Sequence, residues 1–413
     1  MIKKHTIGYS ASFGLAIQGA LFICAVVVIL WVFITPALGQ NLQQIVAPSA
    51  SWQAFAMSAD GNKLVAASGS GASFGAIYTS TNFGNTWVSN NVPALRFWGS
   101  VASSADGSVL GAAVNATAGG GPIYISTNSG VNWQLQTLPN LTWSSLAISA
   151  DGSEIKALSQ EYSSSSIFSS TNCGATWTSN SLPVDGLPSI ATSSDGSKII
   201  LGASLILIST NSGTTWMTNI LLGKSGSCHV ASSADGNKLV VATQLIYTST
   251  NFGSTWITND APNATWTDVA SSADGTRLIA LASTYPPWAD SHGIIYTSTN
   301  SGTTWVSNNV PLSYWISAGL SADGNNAVVV AGNGGGVWVS HTIAAPTLNL
   351  KPTGDSMKLS WLIPSTNYVL QKSSDLISWM SVTDTPTFYL TNLNNVLTIS
   401  PSNSNGFYRL ATP

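Results

Sequence analysis

The chain has 413 residues, 13 Lys and Arg against 16 Asp and Glu, a net charge of −3, and only 7% charged residues. No basic run or patch is available to neutralise phosphates, so nucleic acid is excluded as a partner. Hydrophobic residues, at 44%, are ample for a folded core, and Ser, Thr, Asn and Gly fill the polar positions that charge leaves open.

In chain order, Lys3 and Lys4 precede an apolar run over residues 16–35, and Ala37-Leu38-Gly39 follows before Gln40. This basic, apolar, small-residue order is that of a secretory signal over residues 1–39, cleaved after Gly39. At roughly 20 residues the run is also long enough for an uncleaved membrane anchor. On either reading the remainder is expected outside the cytoplasm, secreted or held at the cell envelope. Cys173 and Cys228 are too few for a disulfide framework and read as buried free thiols.

From residue 40 to residue 344 the sequence repeats itself. The pattern Ser-x-Asn-x-Gly-x-x-Trp ends at Trp87, Trp133, Trp177, Trp216, Trp256 and Trp305. In step with it, an Asp-Gly turn stands at Asp60, Asp106, Asp151, Asp195, Asp235, Asp274 and Asp323. Each unit therefore has two tight turns and about four short strands, since Asp-Gly and Asn-x-Gly supply the left-handed geometry that hairpins demand. Such a unit cannot bury both faces alone and fits a β-propeller blade better than a helical solenoid. The expected fold is all-β, a seven-bladed propeller.

These phrases resemble the Asp-box, or BNR, repeat of sialidase-like propellers, sortilin-type receptors, xyloglucanase-like hydrolases and Ycf48-type assembly factors. All six boxes have Asn where that family usually has Asp. The resemblance implies that the box is a structural hairpin on the outer edge of each blade, with its Trp packed beneath.

The seventh unit departs at His341 without a box or a fourth strand, while the segment after Gln40 reads NLQQIVAPSASW, with the Pro-to-Trp spacing that follows a fourth strand elsewhere. Residues 41–48 are expected to complete the last blade and remove its open edge. Residues 345–413 carry alternating runs such as KLSWLI, YVLQKS and FYRL. They read as a small β-sandwich-like module resembling fibronectin-type-III or immunoglobulin-like domains.

Both tight turns of a unit lie on one face, so function is expected on the longer loops of the other. That face carries Glu161, Asp185, Asp260, Asp268, Asp290, Arg96 and His292. Only Arg96 of three arginines is suitably placed, so the bidentate arginine cluster of a sialidase cannot be assembled. A xyloglucanase-like hydrolase needs two opposed carboxylates, for which Asp268 and Asp290 qualify by type. The four His have no ligand spacing and no G-x-S-x-G elbow occurs, so neither metal nor cofactor is expected.

The aromatic pattern is richer. Trp52, Trp98, Trp143, Trp266 and Trp315 each stand eight positions before their turn Asp, where an inner strand enters from the long-loop face. They read either as a mouth that stacks on sugars or extended peptides or as wedges between blades. The insertion Ser283 to Gly293 adds Tyr285, Trp288 and Asp290. The expected ligand surface comprises the five Trp with Tyr285, Trp288, Asp268, Asp290 and Arg96. The expected protein is a monomeric, non-catalytic binding or scaffold propeller for a glycan or peptide, with glycoside hydrolysis as the alternative.

Overall fold

Each Asp-Gly phrase folds into the same hydrogen-bonded cage. The Ser58 hydroxyl donates to Asp60 Oδ1 at 2.5 Å, the same oxygen accepts the Asn62 N–H at 3.0 Å, and the Lys63 N–H donates to Ser58 Oγ at 2.9 Å. Gly61, at φ 78°, supplies the left-handed residue. The Ser-to-Asp bond recurs at Asp106, Asp151, Asp195, Asp235, Asp274 and Asp323.

The residue before each turn Asp ties its unit to the next. The N–H of Ala59 donates to Ala105 O, Ala105 to Ala150, Ala150 to Ser194, Ser194 to Ala234, Ala234 to Ala273, Ala273 to Ala322, and Ala322 back to Ala59, all at 2.6 to 2.9 Å. The repeat therefore closes on itself around a central channel.

This computed structural model describes residues 42–69, 75–90, 92, 97–115, 120–161, 164–184, 186, 189–219, 228–283, 293–308, 310–311, 313–341, 348–353, 356–362, 369–389, 393–399 and 407–411. The expectations for residues 1–39 lie outside them. Among the described residues the ring consists of seven four-stranded antiparallel sheets. Their inner strands are Trp52–Met57, Trp98–Ser103, Thr142–Ile148, Ser189–Thr192, His229–Ser232, Thr265–Ser271 and Trp315–Leu320. Second strands such as Leu64–Ser68 and Leu278–Ser283 are buried throughout, because sheets pack on both of their faces. In the seventh sheet the outer strand is Gln43–Ile45, paired antiparallel to Gly336–His341 with Gln44 opposite Trp338.

The outer hairpins show why Asn serves in the box. Asn82 Oδ1 accepts the Thr86 N–H at 2.9 Å, and Asn82 Nδ2 donates to Thr86 Oγ1 at 2.9 Å, a bond that a carboxylate could not give. Ser80 Oγ accepts the Gly84 N–H at 2.9 Å, while Phe83 and Gly84 sit at φ 55° and 80°. The box is thus a self-satisfied hairpin.

Beyond the ring, two further sheets cover a common core. One has the order Asn349–Thr353, Ser356–Leu362, Asn394–Ile399, Thr387–Tyr389, and the other Met380–Ser381, Val369–Ser373, Phe407–Ala411. Leu359, Trp361 and Leu397 of the first meet Leu370 of the second. Leu393, buried, packs with Ala150, Ala234 and Ala322 of the ring and lines the turn-face end of the channel.

Candidate functional site on the long-loop face

The five aromatic positions at the inner-strand entrances are buried. Trp52, Trp143 and Trp315 have no exposed surface, and Trp98 and Trp266 have 1%. Each indole lies edge-on to an aromatic ring in the third strand of its own sheet: Trp52 to Tyr78, Trp98 to Tyr124, Trp143 to Phe168, Trp266 to Tyr296 and Trp315 to Trp338, with centroids 5.2 to 6.0 Å apart. Three of them also bond to the preceding sheet. Trp143 Nε1 donates to Gly121 O at 2.7 Å, Trp266 to Gln244 O at 3.3 Å and Trp315 to Gly293 O at 3.1 Å. These five side chains are wedges between sheets, and the expectation that they form a stacking surface is corrected, because no ring face is free.

The wedge alters the strand beside it. The same five sheets show a register shift immediately after the Trp, between Trp52 and Ala54, Trp98 and Ser100, Trp143 and Ser145, Trp266 and Asp268, and Trp315 and Ser317. Such a bulge takes the next N–H out of the ladder, and that donor must find an acceptor elsewhere. In the third sheet the Leu146 N–H donates to Ser100 Oγ of the second at 3.0 Å. In the seventh, the Ala318 N–H and Ser317 hydroxyl both donate to Asp268 Oδ2 of the sixth, each at 2.9 Å. Asp268 Oδ1 takes the Val269 N–H of its own strand at 2.8 Å.

Asp268 is therefore a tie between sheets, and its expected role as a free ligand-bonding carboxylate is corrected. Burial pushes its carboxyl upward, against the pull of the His229 imidazole and of its three donors. The same burial draws His229 below its ordinary 6.5, opposed by Asp268. His229 stands in the fifth sheet at the position that Asp268 holds in the sixth and Ser317 in the seventh, so a polar chain runs across three inner strands. Sequence reading missed His229; its place six residues before the turn Asp235, in register with Asp268, was the available signal.

The fourth and fifth sheets differ from the rest. They lack the wedge Trp and the register shift, and their second and third strands are joined by tight hairpins through Ala203–Leu205 and Thr243–Leu245. The same connection is longer in the first sheet (69–76), the second (115–122) and the sixth (284–293), and in the third the paired strands themselves run further, over Ile155–Glu161 and Ser164–Ser170. The long-loop face is thus low over two adjacent sheets, with Ser204 and Gln244 exposed at the hairpin tips.

Arg96, Tyr285, Trp288 and Asp290, with Asp185 and His292, lie outside the described residues. Asp260 is exposed in the connection between the fifth and sixth sheets. Arg277 is engaged on the turn face, where it donates to Asn325 Oδ1 at 2.8 Å. Burial pushes the Cys228 thiol up to about 12; Cys173, also free of any disulfide, is only half-buried, which corrects the expectation that both thiols are buried. Among the described residues no three His, Cys, Asp or Glu side chains are grouped to hold a metal ion, and no helix is long and apolar enough to cross a membrane.

Solved structures share this architecture. YCF48 from Cyanidioschyzon merolae is 14% identical with a TM-score of 0.54, the match covering 73% of this chain and 98% of that one. A structure of YCF48 bound to D1 peptide is 14% identical with a TM-score of 0.52, over 75% and 100%. The GH74 xyloglucanase from Xanthomonas campestris is 13% identical with a TM-score of 0.54, over 78% of this chain and 59% of that one. These likenesses, with the repeated four-stranded sheets, define an all-β protein containing a β-propeller. No family model matches the chain, and no curated protein matches it.

Proposed function

We propose that the protein is an exported, non-catalytic, seven-bladed propeller of the Asp-box type that receives an extended peptide on its long-loop face, over the fourth and fifth sheets. The observation that carries this reading is the low sector there, bounded by the seven-residue strands of the third sheet and the longer connection of the sixth, and floored by inner strands without the Trp wedge. A trough of this kind suits an extended chain, whose backbone groups need neutral polar partners more than charge. A similar fold has been solved with a peptide bound. Tyr285, Trp288, Asp290 and Arg96 remain proposed ligand contacts of the long loops. The signal or anchor over residues 1–39 delivers the monomer to the envelope, and residues 345–413 form a fibronectin-III/Ig-like module.

Glycoside hydrolysis is the weaker reading. It has a GH74 neighbour in its favour. Against it, Asp268 is buried and already accepts three hydrogen bonds, two of them from the next sheet, which leaves it poorly placed to face a second carboxylate across a scissile bond.

A displayed library of unstructured decapeptides, panned against the full chain, tests the proposal. Peptides should be enriched, and a Ser204→Trp/Gln244→Trp variant that fills the trough should lose them while melting as the parent does. Enriched peptides that bind both proteins equally would place the site elsewhere, and release of sugar from xyloglucan by the parent would replace binding with catalysis.

A further inference from the structure

A second surface lies on the outer rim, away from the long-loop face. Three residues after each box Trp the repeat carries a side-chain amide: Asn90, Gln136, Asn180, Asn219, Asn259 and Asn308. At several junctions this amide is packed against the box of the next sheet. Asn219 Nδ2 donates to Gly253 O at 2.7 Å, and a Cβ on Gly130 or Gly302 would stand 3.2 Å from Asn90 Oδ1 or Asn259 Nδ2. The position is a spacer that sets how closely neighbouring outer edges approach.

Between the second and third sheets the spacer is Gln136, one methylene longer than Asn. It is buried, its Oε1 accepts the Trp177 Nε1–H at 3.1 Å, and its Nε2 donates to Gln134 O at 3.1 Å. Trp177 Nε1 also reaches Gly174 O at 3.1 Å, so the indole is fixed from both sheets. Beside it opens a groove of about 500 Å³, in the range of small-ligand sites.

The lining contains no Asp, Glu, Lys, Arg or His. Trp177 and Phe168, both half-buried, provide aromatic surface, and Gln134, Thr176 and Thr178 are exposed around them. A charged ligand would find no counter-ion here, and a purely apolar one would leave amides and hydroxyls without partners. An uncharged polyol ring has apolar C–H faces for the aromatics and hydroxyls for the amides.

We propose that this groove between the second and third sheets binds one or two residues of a neutral saccharide, through the Trp177 and Phe168 rings and the polar groups of Gln134, Thr176 and Thr178. The site is separate from the peptide trough and stands or falls independently of it. The scaffold would then hold a neutral polysaccharide at its rim and a peptide on its face.

Titration calorimetry of the full chain with cellohexaose, maltohexaose, mannohexaose and chitohexaose tests this. At least one should bind saturably, and Trp177→Ala should weaken it by about tenfold or more, the order expected when one stacking ring is removed. Because Trp177 also packs on the core, Thr178→Arg, which places a long charged chain in the groove from an exposed position, should weaken binding similarly with an unchanged melting temperature. The Ser204→Trp/Gln244→Trp variant should bind the saccharide as the parent does. Absence of binding to all four oligosaccharides, or binding that survives both groove variants within about twofold, a difference too small for the removal of a stacking ring, overturns the proposal.

Discussion

Asp268 in the sixth sheet accepts the Ala318 N–H of the seventh at 2.9 Å, the bond that Ser100 and Leu146 make at 3.0 Å between the second and third. A carboxylate does here what a hydroxyl does elsewhere, because it must also satisfy Ser317 and Val269. Asp268→Ala leaves two backbone donors unmet and should cost about 3 kcal/mol, whereas Asp268→Asn, which keeps a carbonyl acceptor, should cost about half as much. Urea midpoints of the two variants give the comparison, and equal losses would count against the tie.

The pH response of this seam has a definite sign. His229 titrates below its ordinary 6.5 in the folded state, so its contribution is present above 6.5 and is lost as pH falls through the folded value. Asp268, raised from 3.8, acts oppositely: its contribution is present below 3.8 and lost as pH rises through its folded value. Replacing His229 by Gln should therefore flatten the loss of stability below pH 6.5 and, by removing the imidazole's downward pull, let the Asp268 carboxyl rise further. Urea unfolding of both proteins at pH values below 6.5 measures the difference, and parallel curves would contradict it. At lower pH the turn carboxylates take over. For Asp106, Asp151, Asp195 and Asp235, burial pushes upward but serine or asparagine donors and neighbouring N–H groups outweigh it, so their stabilisation holds above 3.8 and fades below.

The repeat supplies an internal template for a buried ion pair. Lys156, 2% exposed, bonds to Glu154 at 2.9 Å and to Ser212 O at 3.2 Å. The position of Lys156 holds Val65 in the first sheet and Gly111 in the second, and that of Glu154 holds Lys63 and Val109. Glu154→Val alone strands the ammonium and should cost about 3 kcal/mol, while the Glu154→Val/Lys156→Val double variant should be about as stable as the parent or more so. A double variant weaker than the single one would show that the pair contributes net stability.

Two wedge tryptophans that differ in one bond allow a clean comparison. Trp143 donates to Gly121 O, whereas Trp52 Nε1 is buried with no acceptor among the described residues. Trp→Phe should thus be costlier at 143 than at 52 by about 1 kcal/mol, the net worth of a hydrogen bond. Thermal melts of the two variants suffice, and the reverse order would indicate that ring volume, not the bond, sets the cost.

Leu393 makes a prediction about the second unit. Leu393→Asp puts a charge among the ring alanines and should undock the carboxy-terminal sheets. Limited proteolysis in the 342–347 connection should then accelerate while the ring melts nearly unchanged. Unchanged cleavage would mean that packing at the channel does not hold the unit.

Much of the fold was legible because each repeat announces its own turns. Ser58, Asp60 and Gly61 do the same work as their six counterparts, and Ser80, Asn82 and Gly84 likewise, so local chemistry and repetition point the same way. The site was less legible. Repetition writes a ring of Trp whether the rings face solvent or a neighbouring sheet, and only the positions of the Gly121, Gln244 and Gly293 carbonyls decide for packing. Asp268 resembled a ligand group because its three donors come largely from a bulge that alternation does not show. The low sector over the fourth and fifth sheets was visible as the missing Trp at Leu187 and Ser227, and it marks departure from the repeat as a better guide to function than the repeat itself.

The measurement that bears most directly on the functional account is photo-crosslinking from a benzoylphenylalanine at position 244, at the tip of the fifth sheet's hairpin, with one at position 62 on the turn face as its counterpart. With the enriched decapeptides as probe, the account predicts capture at 244, competed by unlabelled peptide, and none at 62. Capture at 62 alone, or capture at 244 that excess peptide does not reduce, would contradict it.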